Sequence, residues 1–167
     1  IANAKTLINI KYDSFDSALR HSPFLVDARA TSVETVDSKV LNLAREDIIW
    51  NLVSDLITDV PNKDMQGLNM VEFNAVSNDD IKDKVETLCK LLDECVKNQT
   101  NGVIGYQLTS DKSDILKIYA MRKKSVGLLG NVKGSQKPLA FAEDTAVPPE
   151  NLADYIVEFR ALLDSHN

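Results

Sequence analysis

The segment GLNMVEFNAVSNDDIKDKVETLCKLLDECVKNQTNGVIGYQLT, residues 67–109, carries the strand–helix–strand pattern on which the predicted fold rests. Residues 67–74 alternate apolar and polar side chains, which predicts a strand with one buried face. Residues 77–80 (SNDD) are a strong helix start, and residues 103–109 predict the next strand, in which Gly105 indicates a bulge or a close backbone approach. The helix between the strands places its apolar residues in one stripe: Ile81, Val85, Leu88, Leu92, Cys95 and Val96.

The same alternation of short strands and capped helices continues on both sides of this unit. Pro23 is expected to break or restart the first helix. The predicted outer elements are strands at 7–12, 31–36 and 141–147 and helices at 15–29, from 111 and from 149. Residues 37–66, with a helix predicted over 48–57, are a candidate helical insertion. The element order predicts an α+β fold with a ferredoxin-like, open, mainly antiparallel sheet and helices packed mostly on one face.

The composition fits one globular domain spanning residues 1–167, because 44% of the residues are hydrophobic and 26% are charged. A net charge of −6 argues against nucleic acid or an anionic membrane surface as the main partner. No run reaches the roughly 18 apolar residues of a transmembrane helix. The chain starts at Ile1, which favours a piece of a longer protein over a processed N terminus.

The residues that usually carry metal or nucleophilic chemistry are sparse. Cys89 and Cys95 point about 120° apart on a helix, so we expect reduced thiols, as in a cytosolic protein. His21 and His166 have no partner at zinc-ligand spacing. The sequence therefore predicts neither a metal site nor a catalytic residue within this chain.

One charged residue falls among apolar ones in the helix that begins near residue 111. Counted from Ile115 at 3.6 residues per turn, Arg122 lies within about 40° of the apolar positions Tyr119, Val126 and Leu129. A guanidinium stays protonated when buried, so it needs an anion or a path to water. Three roles remain open: Arg122 extends past its neighbours to solvent, pairs with a carboxylate such as Glu143, Asp144 or Glu34, or binds an anionic ligand.

The glycine-rich segment after this helix does not have the pattern of a phosphate-binding loop. Gly127, Gly130 and Gly134 follow a helix instead of preceding one. They are expected to end the helix and form a bend, on which Lys133 and Lys137 are either solvated charges or part of a lid.

Several segments together resemble the C-terminal cap domain of FAD-linked oxidases, a family that includes D-lactate and D-2-hydroxyglutarate dehydrogenases. The resemblance is closest to large bacterial members fused to an iron–sulphur domain. The segments are SVETVD at 32–37, MRKK at 121–124, LLGN at 128–131, EDTAVPP at 143–149 and LADYIVEFR at 152–160.

The resemblance implies the substrate-binding part of an FAD-dependent dehydrogenase whose FAD is bound mainly by a separate domain. The substrate would be a D-2-hydroxy acid, D-lactate first and D-2-hydroxyglutarate second, which passes a hydride to the flavin. Arg122 would bind the substrate carboxylate, with Lys137 and Glu143 as further substrate-binding residues. The electron acceptor is not indicated, and the implied location is the cytoplasm or the inner membrane face.

Two departures from the family pattern limit what this chain does alone. Relatives often carry a lysine where Ala142 stands, so Lys133 or Lys137 would have to compensate. The family's metal-binding and catalytic histidines follow the last helix seen here. We therefore expect this chain alone neither to retain FAD nor to turn over substrate. The alternative is a non-catalytic α+β module, with Arg122 either anchoring an anion or held in an internal ion pair.

Overall fold

A computed structural model describes residues 4–130 and 144–166. Four strands form one open antiparallel sheet in the order β2-β3-β1-β4. Their bounds are β1 Ala4–Tyr12, β2 Ser32–Asp37, β3 Gly67–Ala75 and β4 Val103–Thr109. The predicted α+β fold with an open antiparallel sheet is confirmed.

Five α-helices and one short 3-10 helix surround the sheet in the described part of the chain. Their bounds are α1 Phe15–Asp27, α2 Ser38–Glu46, the 3-10 helix Ile48–Leu52, α3 Asp79–Asn98, α4 Lys112–Leu129 and α5 Pro149–Asp164. The caps follow the sequence: the side chains of Ser14, Asp37 and Asp111 accept hydrogen bonds from backbone N–H groups at the starts of α1, α2 and α4.

The strand predicted over 141–147 is absent from residues 144–147, the part of this segment that the structure describes. Residues 141–143 lie outside the described residues, and residues 144–148 form neither strand nor helix. Asp144 has a φ of 59°, in the left-handed region, which is incompatible with a regular strand.

Helix α1 runs through Pro23 without a break, contrary to the prediction. Proline lacks the N–H that would donate to the carbonyl of Leu19. The hydroxyl of Ser22 donates to that carbonyl instead, at 2.7 Å. The neighbouring serine therefore satisfies the acceptor that Pro23 would otherwise leave unpaired.

The two faces of the sheet support two hydrophobic clusters. Helices α1 and α3 pack on one face, where the stripe predicted for α3 buries Ile81, Leu88 and Leu92. Helices α2 and α4 and the segment after α2 cover part of the other face. The helix predicted over 48–57 is wrong: after the 3-10 helix the chain continues in turns that bury Val53 and Ile57 against this face.

Helix α5 is attached less closely than its apolar sequence suggests. It packs against α1 and its salt bridge joins Asp154 to Arg20 at 3.0 Å. Ala153 is its one buried residue, and Leu162 is 56% exposed. The apolar side of α5 is therefore only half-buried in this chain.

Gly102, at the turn before β4, is a position where only glycine fits. It has a φ of +65°, and a Cβ there would lie 2.3 Å from Oγ of Ser17 and 2.4 Å from Oδ1 of Asp13. We expect Gly102→Ala to lower the free energy of unfolding by about 2 kcal/mol, measured by urea denaturation of this chain.

Gly127→Ala is the matched control, because nothing lies within 4 Å of a Cβ added at that helical position. It should raise stability by about 0.5–1 kcal/mol. Equal effects of the two substitutions would contradict the structural reason given for Gly102.

A buried polar network lies beneath α1. Asn69 Nδ2 donates to the Tyr12 hydroxyl at 3.1 Å, and that hydroxyl lies 2.7 Å from Nδ1 of His21. His21 is 5% exposed and its ring stacks on Phe24. Burial lowers the pKa of His21 to about 4, so the imidazole is neutral at pH 7 and Nδ1 can accept from Tyr12.

This network predicts a loss of stability in mild acid. The unfolded chain binds a proton at His21 near pH 6.5, and the folded chain does so only near pH 4, so stability falls as pH falls through this window. The loss attributable to His21 between about pH 7.5 and about pH 5 should be about 2 kcal/mol. It is measured by urea denaturation at both pH values. His21→Phe should remove most of this pH dependence, and an unchanged dependence would contradict it.

Candidate functional site

Arg122 lies at the edge of the buried face of α4, not inside it. The buried residues of this helix are Ile115, Ile118, Met121 and Ser125. Val126 is 52% exposed and the Arg122 side chain is 44% exposed. The predicted apolar stripe through Arg122 is therefore wrong.

The stripe was misplaced because a small polar residue occupies a core position. Ser125 is fully buried, and its hydroxyl donates to the carbonyl of Met121 at 2.7 Å. This local bond satisfies the hydroxyl, so burial costs little. A pattern based on apolar residues alone assigns this core position of α4 to the neighbouring residue Val126.

Arg122 is paired with Glu34 of the edge strand β2. Nε of Arg122 lies 2.6 Å from Oε2 of Glu34. That oxygen is buried and has no aligned hydrogen bond, so the contact is an ion pair rather than a well-directed hydrogen bond. Of the carboxylates weighed as partners, Glu34 is therefore in contact, while Glu143 lies outside the described residues.

A second polar contact joins α4 to the sheet one turn before Arg122. The hydroxyl of Tyr119 donates to Oε2 of Glu72 at 2.6 Å, and Nζ of Lys5 donates to the same oxygen at 2.8 Å. Burial raises the pKa of the Glu72 carboxyl, but hydrogen bonds from Lys5, Tyr119 and Asn74 outweigh this and hold the pKa below its usual value. Glu72 is therefore ionised at neutral pH and anchors α4.

A small pocket lies beside Arg122, between the end of β2, the start of α2 and the far end of α4. Its volume is about 190 Å³. Its lining residues are Phe15, Thr35, Val36, Asp37, Val40, Arg122 and Val126. Arg122 supplies the positive charge of the lining. The Asp37 carboxylate accepts a hydrogen bond from the backbone N–H of Val40, at 2.9 Å.

This pocket suits a small organic anion and does not fit FAD. Pockets for drug-sized ligands measure about 300–1,000 Å³, and a dinucleotide needs at least that much room. The planar guanidinium of Arg122 matches the two oxygens of a carboxylate. The pocket of about 190 Å³ is therefore too small for a flavin, and Arg122 is the one cationic residue among the described residues that line it.

The other predicted substrate-binding residues cannot be located. Lys137 and Glu143 lie outside the described residues, as do Lys133 and Ala142. Sequence reasoning did not single out Glu72 or Tyr119, although a carboxylate at residue 72 within an otherwise buried strand is a signal for an internal partner.

The described residues, 4–130 and 144–166, contain no cluster of three or more histidine, cysteine, aspartate or glutamate side chains that could hold a metal ion. Cys89 and Cys95 are free and half-buried. No helix within these ranges is both long and apolar enough to cross a membrane.

A family model described as FAD linked oxidases, C-terminal domain, matches residues 1–167. The chain is 62% identical over 166 residues to a D-2-hydroxyglutarate dehydrogenase of Escherichia coli (strain K12). It is 60% identical over 167 residues to the enzyme of the same name from Haemophilus influenzae, and 43% identical over 160 residues to that from Pseudomonas putida. In each case it spans 16% of the relative's length.

Proposed function

Because this chain belongs to the C-terminal domain family of FAD-linked oxidases, we propose that it is the substrate-binding cap portion of an FAD-dependent D-2-hydroxyacid dehydrogenase. The observation that carries the proposal is Arg122 at the wall of a pocket of about 190 Å³. A pocket of this size with one guanidinium suits a short carboxylic acid.

The favoured substrate is D-2-hydroxyglutarate, with D-lactate second. The relatives of this chain are named for the former, and the identity reaches 62%. This support reverses the order expected from the resemblance alone. Arg122 binds one carboxylate of the substrate and holds the 2-hydroxy carbon in a fixed orientation. Such fixed orientation is how binding groups of an enzyme accelerate a reaction whose chemistry is carried by a cofactor.

Lys137 and Glu143 complete the proposed substrate site. Lys137 provides a second positive charge, which a dicarboxylate requires more than a monocarboxylate does. It also takes the place of the lysine that relatives often carry where Ala142 stands. Glu143 contributes only when it is protonated or paired, because a free carboxylate repels the substrate.

FAD belongs to another domain of the same polypeptide in this proposal. The pocket beside Arg122 is too small for FAD, and the chain spans only 16% of the length of its relatives. An iron–sulphur cluster in the remaining sequence is compatible with relatives of that size. The free thiols of Cys89 and Cys95 support a cytoplasmic location.

The proposal is tested by comparing this chain with the full-length protein. We expect the full-length protein to purify with FAD and to oxidise D-2-hydroxyglutarate, and the 167-residue chain to do neither. Flavin content is measured by absorbance and turnover by reduction of an artificial electron acceptor. Stoichiometric flavin in the isolated chain, or a full-length protein without activity on any 2-hydroxy acid, would contradict it.

The Glu34 contact favours a second role for Arg122, that of an internal ion pair in a non-catalytic module. Its Nε lies 2.6 Å from Glu34, so the positive charge of the guanidinium is balanced even when no substrate is bound. An exposed pair of this kind contributes about 0–1 kcal/mol of stability. The ion pair alone therefore stabilises the fold too little to explain an arginine at the pocket wall.

A further inference from the structure

We propose that Glu34 is a positioning residue for Arg122: it holds the guanidinium so that its outer Nη edge faces the substrate carboxylate. The inference rests on the proposed function and adds a residue to the substrate site that touches the arginine and not the substrate.

Glu34 contacts the inner nitrogen of the guanidinium. The contact joins Oε2 of Glu34 to Nε of Arg122, at 2.6 Å. A guanidinium presents its donors in a planar fork, so fixing Nε also fixes the direction of the two Nη groups. A carboxylate can then be bound through both Nη groups while Glu34 remains in place.

Glu34 acts from outside the pocket. The pocket is lined by Thr35, Val36 and Asp37 of the same strand, and Glu34 is not among its lining residues. Side chains two positions apart on a strand share a face, so Glu34 lies on the face of Val36. Because Glu34 is not part of the lining, its contact with Arg122 leaves the pocket free for the substrate.

The Glu34 contact is not what fastens α4 to the sheet. The Tyr119–Glu72 hydrogen bond of 2.6 Å and the buried residues Ile118 and Met121 do this one turn earlier. The Glu34 side chain is 31% exposed, whereas that of Glu72 is 9% exposed. Removing Glu34 should therefore change the orientation of Arg122 more than the position of the helix.

The test uses the full-length flavoenzyme with D-2-hydroxyglutarate, measuring KM, kcat and thermal midpoint. Glu34→Ala is expected to raise KM about 10-fold with kcat changed by less than about 3-fold, because an interaction equal in ground and transition states acts on KM. Glu34→Gln keeps the length of the side chain but removes its charge, so KM should rise as in the alanine variant, because the contact is an ion pair without an aligned hydrogen bond. Tyr119→Phe is the control, expected to lower the thermal midpoint and to leave KM unchanged.

Glu34→Asp separates the effect of the side chain's reach from the effect of its charge. It also replaces Glu34→Ala as the test if the alanine variant does not fold. The shorter side chain keeps the charge but not the reach, so KM should rise as in the alanine variant. A KM that stays at the wild-type value in both Glu34→Ala and Glu34→Asp overturns the proposal. A KM that falls in Glu34→Ala and Glu34→Gln also overturns it, because Glu34 would then compete with substrate. Failure of Arg122→Lys to change kinetics would instead refute the proposed function.

Discussion

Replacing Arg122 by lysine in the full-length enzyme is expected to lower kcat/KM for D-2-hydroxyglutarate about 100-fold, which corresponds to about 2.7 kcal/mol of transition-state stabilisation. Lysine keeps the charge but loses the planar fork that binds both oxygens of a carboxylate. It also lacks the Nε atom that lies 2.6 Å from Glu34. The measurement is steady-state kinetics of both variants with a fixed electron acceptor.

Lys123→Gln is the matched control, because it removes a positive charge from an exposed neighbouring position on α4. Its kcat/KM should stay within about 3-fold of wild type, since Lys123 is turned about 100° from Arg122 around the helix and exposed charges interact weakly through water. Unchanged kinetics in Arg122→Lys together with a lower thermal midpoint would assign Arg122 to an internal ion pair only.

Replacing Glu72 by alanine is expected to lower the free energy of unfolding of this chain by about 3 kcal/mol. The Glu72 side chain is 9% exposed and accepts from Lys5 at 2.8 Å, Tyr119 at 2.6 Å and Asn74 at 2.6 Å. Removing it leaves these donors without an acceptor and leaves the Lys5 charge without its partner. Urea denaturation at neutral pH measures the loss.

The control for Glu72 is an exposed glutamate with a weaker contact. Glu86 lies 4.0 Å from Lys82 on α3 and its side chain is 55% exposed, so Glu86→Ala should cost less than about 0.5 kcal/mol. The Glu72 contribution should also weaken in acid: its pKa is lowered in the folded state, so its stabilisation is present above the unfolded pKa and is lost as pH falls through the folded value. Equal losses in the two variants would contradict a special role for Glu72.

The regular elements were predictable because local signals agreed with burial. The alternation at 67–74 and the acidic start at 77–80 predicted β3 and α3, and both form at Gly67–Ala75 and Asp79–Asn98. The bulge indicated by Gly105 is also found, because the register of the β1–β4 pairing shifts between Gly105 and Val103.

The failures have a common cause: hydrogen bonds and packing satisfied groups that simple pattern rules treat as breakers or as surface. Ser22 replaces the missing donor of Pro23, and Ser125 is buried through a bond to its own helix. Val53 and Ile57 follow helical spacing but bury their side chains from turns. Pattern counting cannot detect such compensation, because it sees the residue and not its partner.

The candidate site could be predicted only in part from the sequence, because its two charged residues come from distant parts of the chain. Arg122 was noticed as a charge among apolar residues, although it lies at the edge of the buried face, with its side chain 44% exposed. Its partner Glu34 lies 88 positions earlier in the chain, by subtraction of the two residue numbers. Only the packing of α4 beside the edge strand β2 brings the two together.

The most direct test of the central claim is anaerobic mixing of the oxidised full-length protein with the D and L forms of 2-hydroxyglutarate and lactate, followed by flavin absorbance. D-2-hydroxyglutarate is expected to bleach the flavin most efficiently, the L forms are expected not to bleach it, and Arg122→Lys is expected to need a much higher substrate concentration. A flavin that is reduced by none of the four acids, or by the L forms in preference, would contradict it.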